Sequence, residues 1–421
     1  MKSSGRTNSF IMPTTWFQKI SMALLAVLPL LAWYKIPFPV SLGYAIVLFL
    51  GVYTIAKVRF KISVVTPAFW IMFAYVCFIW MYNHDFALWT LLPPGGWVYF
   101  IFVLAILWGV LAFDLNLLKK YMRYVVLISI ALFGVQFCLK VATGSQVFCF
   151  VPNLTGAFTY EGMSYSELVA HQLLGERPCS IFMEPSYMAH YLVSYLAIVW
   201  FDGEAQKKWL SKEIILIVIT LIALKSGSGM IALSVLFTVK MFSMFWSASA
   251  GRRLLLLFSL IPLAIFVIDI YMESEMGQMM LSRSNEFATE GTSGFTRVVG
   301  GYLMFDQLSF SEQMVGIPDA HERFGVLKFD GNFVFFANGV QTILLSLGYL
   351  GALLFLVFYI VLFKKTDLAS RMCIIILLVM SLIESNYLNP FMMLLTIIPC
   401  ADYNYNKKIF FNYVHNHKIS F

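Results

Sequence analysis

Two stretches of the chain carry most of the side chains suited to catalysis or ligand binding. The first is Arg177-Pro178-Cys179-Ser180-Ile181-Phe182-Met183-Glu184-Pro185-Ser186-Tyr187-Met188-Ala189-His190-Tyr191-Leu192, where a long polar segment gives way to an apolar one. Pro185 suits the first turn of a helix, where its missing N–H costs nothing. Glu184 then falls at the helix N-terminus, where the macrodipole favours negative charge. Tyr187, Tyr191 and Tyr195 recur every four residues and share one face, with Ser186, His190 and Ser194 on the face beside it. Glu184 has two readings: a general base for an attacking hydroxyl, or a helix cap worth about 1 kcal/mol. His190, a turn inside, reads as a hydrogen-bonded interior histidine. The tyrosines read either as stacking surfaces for sugar rings or as an interfacial aromatic belt.

The second stretch runs from about Met272 to Asn332 and carries Arg283, Arg297, Asp306, Asp319, His321, Glu322, Arg323, Asp330 and Asn332. Arginine forks grip phosphate and pyrophosphate in a planar, bidentate fashion. Salt bridges to nearby acids or contact with lipid headgroups account for any single arginine equally well. The sequence holds no P-loop, no His-Glu-x-x-His, no Asp-x-Asp and no Gly-x-Ser-x-Gly elbow. We therefore expect neither a cofactor nor a metal.

The elements that must hold these residues are membrane helices. The chain has 421 residues, 60% of them hydrophobic and 12% charged, with a mean hydropathy of +0.80. A soluble chain carries about twice that charged fraction. Apolar runs predict spans over 16–33, 38–56, 64–82, 96–113, 122–139, 186–201, 210–225, 229–246, 254–271, 335–363, 372–385 and 389–402. The expected fold is an all-α polytopic membrane helix bundle of about twelve transmembrane helices with two long periplasmic loops. No small-x-small site follows the first run, so it reads as an uncleaved first helix rather than a signal peptide.

The net charge of +7 points to membrane topology and not to nucleic acid. Lys57, Arg59 and Lys61 follow the second span, Lys119, Lys120 and Arg123 the fourth, Lys207, Lys208 and Lys212 the sixth. Arg252 and Arg253 follow the eighth, and Lys364, Lys365 and Arg371 the tenth. Every cluster leaves an even-numbered span, which puts both termini in the cytoplasm and both long loops outside. The organisation expected is membrane helices over 1–139, a first periplasmic loop over 140–185, helices over 186–271, a second periplasmic loop over 272–334, further helices over 335–402, and a basic cytoplasmic tail over 403–421. Cys149 and Cys179 share the first loop, so a disulfide and two unpaired thiols both fit.

Several short pieces, in this order and membrane setting, resemble the O-antigen polymerase and ligase superfamily, the Wzy-like polytopic glycan polymerases. They are Arg177-Pro178-x-Ser180-x-Phe182-x-Glu184-Pro185-Ser186, then Leu224-Lys225-Ser226-Gly227-Ser228, Arg297, Val315-Gly316, and Gly331-Asn332 ahead of Leu347-Gly348-Tyr349-Leu350-Gly351. The resemblance implies a metal-independent, inverting glycosyltransferase of lipopolysaccharide or other surface-polysaccharide biosynthesis. Its donor would be an undecaprenyl-pyrophosphate-linked oligosaccharide, used at the periplasmic face of a bacterial inner membrane. It implies Arg177 and Arg297 as pyrophosphate ligands and places Glu184 in the motif that lines the site, with His321 a looser placement in the outer loop; Glu184 and His321 are the catalytic candidates. Arg283, Arg323, Tyr187, Tyr191 and Asn332 complete the implied substrate-binding set. Implied partners are the lipid bilayer, a chain-length regulator and a flippase. The chain departs from many members in having Gly229-Met230 after the Ser-Gly-Ser turn, where they have an arginine. Within the same chemistry the alternative is an O-antigen ligase that transfers glycan to lipid A-core. From another class it is a lipid-linked oligosaccharide flippase, against which few ionisable residues deep in the spans and no evident internal repeat both count.

Overall fold

The structure, a computed structural model, describes residues 15–31, 34, 41–57, 65–83, 94–144, 178–182, 184–202, 211–247, 249, 251, 273, 278, 289, 292–317, 337–384 and 388–416. Each predicted apolar run on these residues is helical, and the run at 254–271 lies outside them. In order come α1 (Trp16–Leu31), α2 (Leu42–Lys57), α3 (Pro67–Asn83), α4 (Pro94–Ala112), α5 (Leu115–Thr143), α6 (Pro185–Trp200), α7 (Lys212–Ala223) and α8 (Gly227–Ser247). Then follow α9 (residues 293–306, wound as a π-helix over Thr296–Gly300), α10 (Phe310–Val315), α11 (Gly339–Lys365), α12 (Leu368–Ser381) and α13 (Pro390–Asn416). Among the described residues three segments, Leu115–Thr143, Gly227–Trp246 and Gly339–Lys365, are long and apolar enough, by length and composition, to cross a membrane, and shorter apolar helices accompany them. The last helix runs well past 402, so much of the expected C-terminal tail continues it.

Large apolar side chains such as Phe49, Ile71, Ile128, Val135 and Leu353 face outward, the pattern expected where lipid replaces water as the surroundings. At the centre stands α6, with every residue from Met188 to Ile198 buried. A helix apolar on all sides belongs inside, and α5, α8 and α12 pack around this one.

The two ends of α6 differ in chemistry. At its C-terminal end Lys119 pairs with Asp202, and Arg123 Nε lies 3.0 Å from Glu213. Tyr195 donates to Glu213 at 2.7 Å, and Lys240 Nζ donates to the Trp200 carbonyl at 2.7 Å. At its N-terminal end Tyr187 stacks on Phe391, the rings 6.3 Å apart and 10° from parallel. The start of α6 therefore meets the start of α13.

The run expected as one continuous span over 335–363 is broken. Inside α11, Gly348 has φ 65° and ψ −172°, a region open essentially to glycine alone. The cause is the end of α10, which leans against the helix there. A Cβ on Gly348 would stand 2.5 Å from the Met314 carbonyl carbon and 2.6 Å from the Gly316 nitrogen. The break frees carbonyl groups, and protein answers them: Ile317 N–H donates to Leu345 O at 2.7 Å, and Tyr75 Oη to Leu347 O at 2.9 Å. Val315-Gly316 and Leu347-Gly348, two of the pieces that carry the family resemblance, are thus each other's packing partners.

Candidate functional site

The N-terminus of α6 is fixed by the turn before it. Ser180 takes a left-handed backbone, φ 56°, and its N–H donates to Gln136 Oε1 on α5 at 2.6 Å. Phe182, fully buried, packs against Tyr191 with the rings 5.6 Å apart. Glu184 follows in the N-cap position with extended backbone, and Pro185 opens the helix as expected. The Glu184 side chain, however, makes no capping hydrogen bond. Its Oε2 accepts from Ser186 Oγ at 3.0 Å instead. Of the two readings of Glu184, the capping geometry is the one not realised.

One turn further in, His190 is 2% exposed and its Nε2 is hydrogen-bonded to Ser228 Oγ at 3.0 Å. Its interior, hydrogen-bonded reading is what the structure describes. Ser228 reaches it because α8 starts very close to α6. A Cβ on Gly229 would stand 2.5 Å from Ala189 Cβ. A larger residue at 229 has no room, which gives a physical reason for the glycine there. Lys225 sits in the preceding turn at φ 50° and is exposed.

Across from this helix start, Arg297 Nη1 lies 3.2 Å from Glu384 Oε2. Glu384 closes the turn after α12, and Arg297 sits in the π-helical part of α9. Glu384, Glu184 and Arg297 all act on His190 by charge. The two carboxylates, the guanidinium and the imidazole therefore form one electrostatic cluster. Such a cluster can hold an anion at the guanidinium and take up a proton at a carboxylate. Among the described residues, no group of three or more His, Cys, Asp or Glu side chains is placed to hold a metal ion.

Of the residues singled out in the sequence, Glu184 and Arg297 both lie within charge range of His190, and the Tyr187 ring stands edge-on to that histidine, 6.3 Å between centroids. Tyr191 does not join them. It is 0% exposed and its Oη donates to the Ala26 carbonyl at 2.6 Å, so it is a packing residue between α6 and α1. Arg177, Arg283, His321, Arg323 and Asn332 lie outside the described residues, as does Cys149, the partner considered for Cys179. Sequence reasoning missed Glu384 and Asn338, and named Ser228 only within a short piece of the resemblance, without a role. Glu384 carried a signal, since an acid between two apolar runs is a functional candidate by default. So did Asn338, because Asn-x-x-Gln ahead of an apolar run is a capping-box pattern. Compared with protein-family models and with curated proteins, the chain matches none.

Proposed function

We propose that this chain is a membrane glycosyltransferase that lengthens a bacterial surface polysaccharide, taking glycan from a polyprenyl-pyrophosphate carrier at the outer face of the cytoplasmic membrane. The observation that carries this reading is the Arg297–Glu384 pair, within charge range of His190 on the helix that Glu184 opens. The order of the sequence pieces and the apolar, all-helical setting support it. In the proposed reaction an acceptor hydroxyl attacks the anomeric carbon as the bond to the pyrophosphate oxygen breaks. The electron pair leaves with the pyrophosphate, and the hydroxyl proton passes to the Glu184 carboxylate. Pyrophosphate is already a good leaving group, so positioning and charge stabilisation supply most of the catalysis. Arg297 meets the charge that builds on the leaving oxygen. Substitution by Lys should fail nearly as badly as by Ala, because Lys offers a point charge instead of a fork.

The test removes the chain from its host and identifies the glycan that accumulates on the lipid carrier. Single lipid-linked repeat units are expected. Intact lipid-linked polymer would reject polymerisation in favour of ligation, and normal surface glycan would reject both. Complementation with Arg297→Ala and Arg297→Lys, at matched membrane abundance, is expected to leave chains short. Wild-type chain length from Arg297→Ala would remove that residue from the site.

A further inference from the structure

The start of α11 holds more hydrogen bonds than a helix start needs. Asn338 is the N-cap of α11. Its Oδ1 accepts from Gln341 N–H at 2.9 Å, while Gln341 Oε1 accepts from Asn338 N–H at 3.0 Å. That reciprocal pair is a complete capping box, and it uses only the oxygen of the Asn338 side chain. A serine or an aspartate would serve the cap as well. What asparagine adds is its NH₂, and both of its hydrogen bonds lead away from the helix. Nδ2 donates to the Arg297 carbonyl at 2.8 Å and to the Leu382 carbonyl at 3.1 Å. Around it, Gln341 Nε2 donates to the Val298 carbonyl at 3.0 Å, and Gly339 N–H donates to the Glu384 carbonyl at 2.9 Å. Asn338 is 1% exposed and Gln341 0%, so these bonds face little competition from water. A Cβ on Gly301 would press into the Gln341 side chain at 2.6 Å, so α9 lies directly on this helix start.

We propose that Asn338 is the positioning residue of Arg297: its amide ties the backbone of the arginine and the turn that carries Glu384 to one helix start. The register of the Arg297–Glu384 pair is then set by α11. The consequence for the reaction rests on the function proposed above, but the clasp itself does not. Glu384 fixes the guanidinium at its tip and Asn338 fixes the same residue at its backbone.

Asn338→Asp keeps the capping oxygen and loses both donors. Asn338→Ser keeps the cap without adding charge, which covers the case in which the aspartate variant does not fold. Hydrogen exchange is measured by mass spectrometry on the full chain in lipid nanodiscs. In each folded variant, protection across residues 297–305 is expected to fall at least tenfold, about 1.4 kcal/mol of local opening, while residues 342–347 stay within twofold of wild type. Loss of protection in both segments together would make Asn338 a cap alone and overturn the proposal. So would unchanged protection in 297–305. Elongation kinetics supply the second arm, as a double-mutant cycle with Arg297→Ala. Asn338→Ser is expected to lower kcat/KM at least tenfold in the wild-type background and to cost nothing further beside Arg297→Ala. Equal losses in both backgrounds would overturn the link to Arg297. If Arg297→Ala itself elongated at the wild-type rate, Arg297 would leave the proposed site and its positioning by Asn338 would have no consequence for the reaction. The exchange experiment would still decide the clasp.

Discussion

Glu184→Gln separates chemistry from structure more cleanly than the sequence alone suggested. The Glu184 side chain makes no capping hydrogen bond, so the cost of about 1 kcal/mol usual for a lost cap does not arise. Its bond from Ser186 Oγ at 3.0 Å survives, because the glutamine carbonyl accepts in the same place. At the helix N-terminus the substitution removes a negative charge, worth about 0.3–1 kcal/mol. What the proposed reaction loses is its proton acceptor, worth roughly 10²–10⁴-fold in rate, or about 3–5 kcal/mol of barrier. The chemical effect should exceed the structural one several-fold. The assay is single-turnover elongation of a lipid-linked repeat unit by purified protein in nanodiscs, with thermal inactivation followed on the same sample. Glu184→Asp keeps charge and basicity on a shorter arm and should be impaired but active. Wild-type elongation by stable Glu184→Gln would refute the base assignment. A stability loss above about 2 kcal/mol would refute the reasoning that separates the two terms.

Other predictions concern the frame around the site. Gly348→Ala should destabilise the protein by about 3 kcal/mol or more, adding backbone strain to overpacking, whereas Gly134→Ala, with open space around it, should be neutral or stabilising by up to about 1 kcal/mol; thermal inactivation of both variants in detergent checks this. Gly229→Ala should cost about 1–3 kcal/mol through its clash with Ala189, and Ala189→Gly in the same chain should recover part of that loss, as the same assay would read. A cysteine placed at Ser293 should react with an impermeant thiol reagent in intact cells, and one at Lys365 only after the membrane is opened; the reverse pattern would invert the topology and end the functional proposal.

What the sequence made legible was periodicity and local chemistry. Apolar runs located α1 to α8 and α11 to α13, but not α9 and α10, which fall in the stretch expected as a loop; Pro185 located the start of α6 to the residue. What it hid was set by partners distant in the chain. Leu347-Gly348-Tyr349-Leu350-Gly351 reads as an uninterrupted apolar helix, because its break is imposed by Gly316 from another segment. Tyr187, Tyr191 and Tyr195 look equivalent at a spacing of four. Yet one stacks on Phe391, one is buried against the Ala26 carbonyl, and one binds Glu213 at the opposite end of the helix. Asn332 drew attention through its place in one of the short pieces that carry the resemblance, while Asn338 holds the arginine through hydrogen bonds that no spacing rule announces.

The break in α11 also bears on how the chain is made. Synthesis proceeds from the N-terminus, so Tyr75 and the end of α10 already exist when Leu345 and Leu347 emerge. The carbonyl groups of those two residues meet their donors on arrival: the Ile317 amide, made shortly before, and the Tyr75 hydroxyl on α3. Neither acceptor has to wait in a lipid environment for a later helix. A chain cut between α10 and α11 and expressed as two fragments would lose that ordering. Its second fragment would insert an apolar helix with an open carbonyl pair, and its yield should depend on co-synthesis with the first.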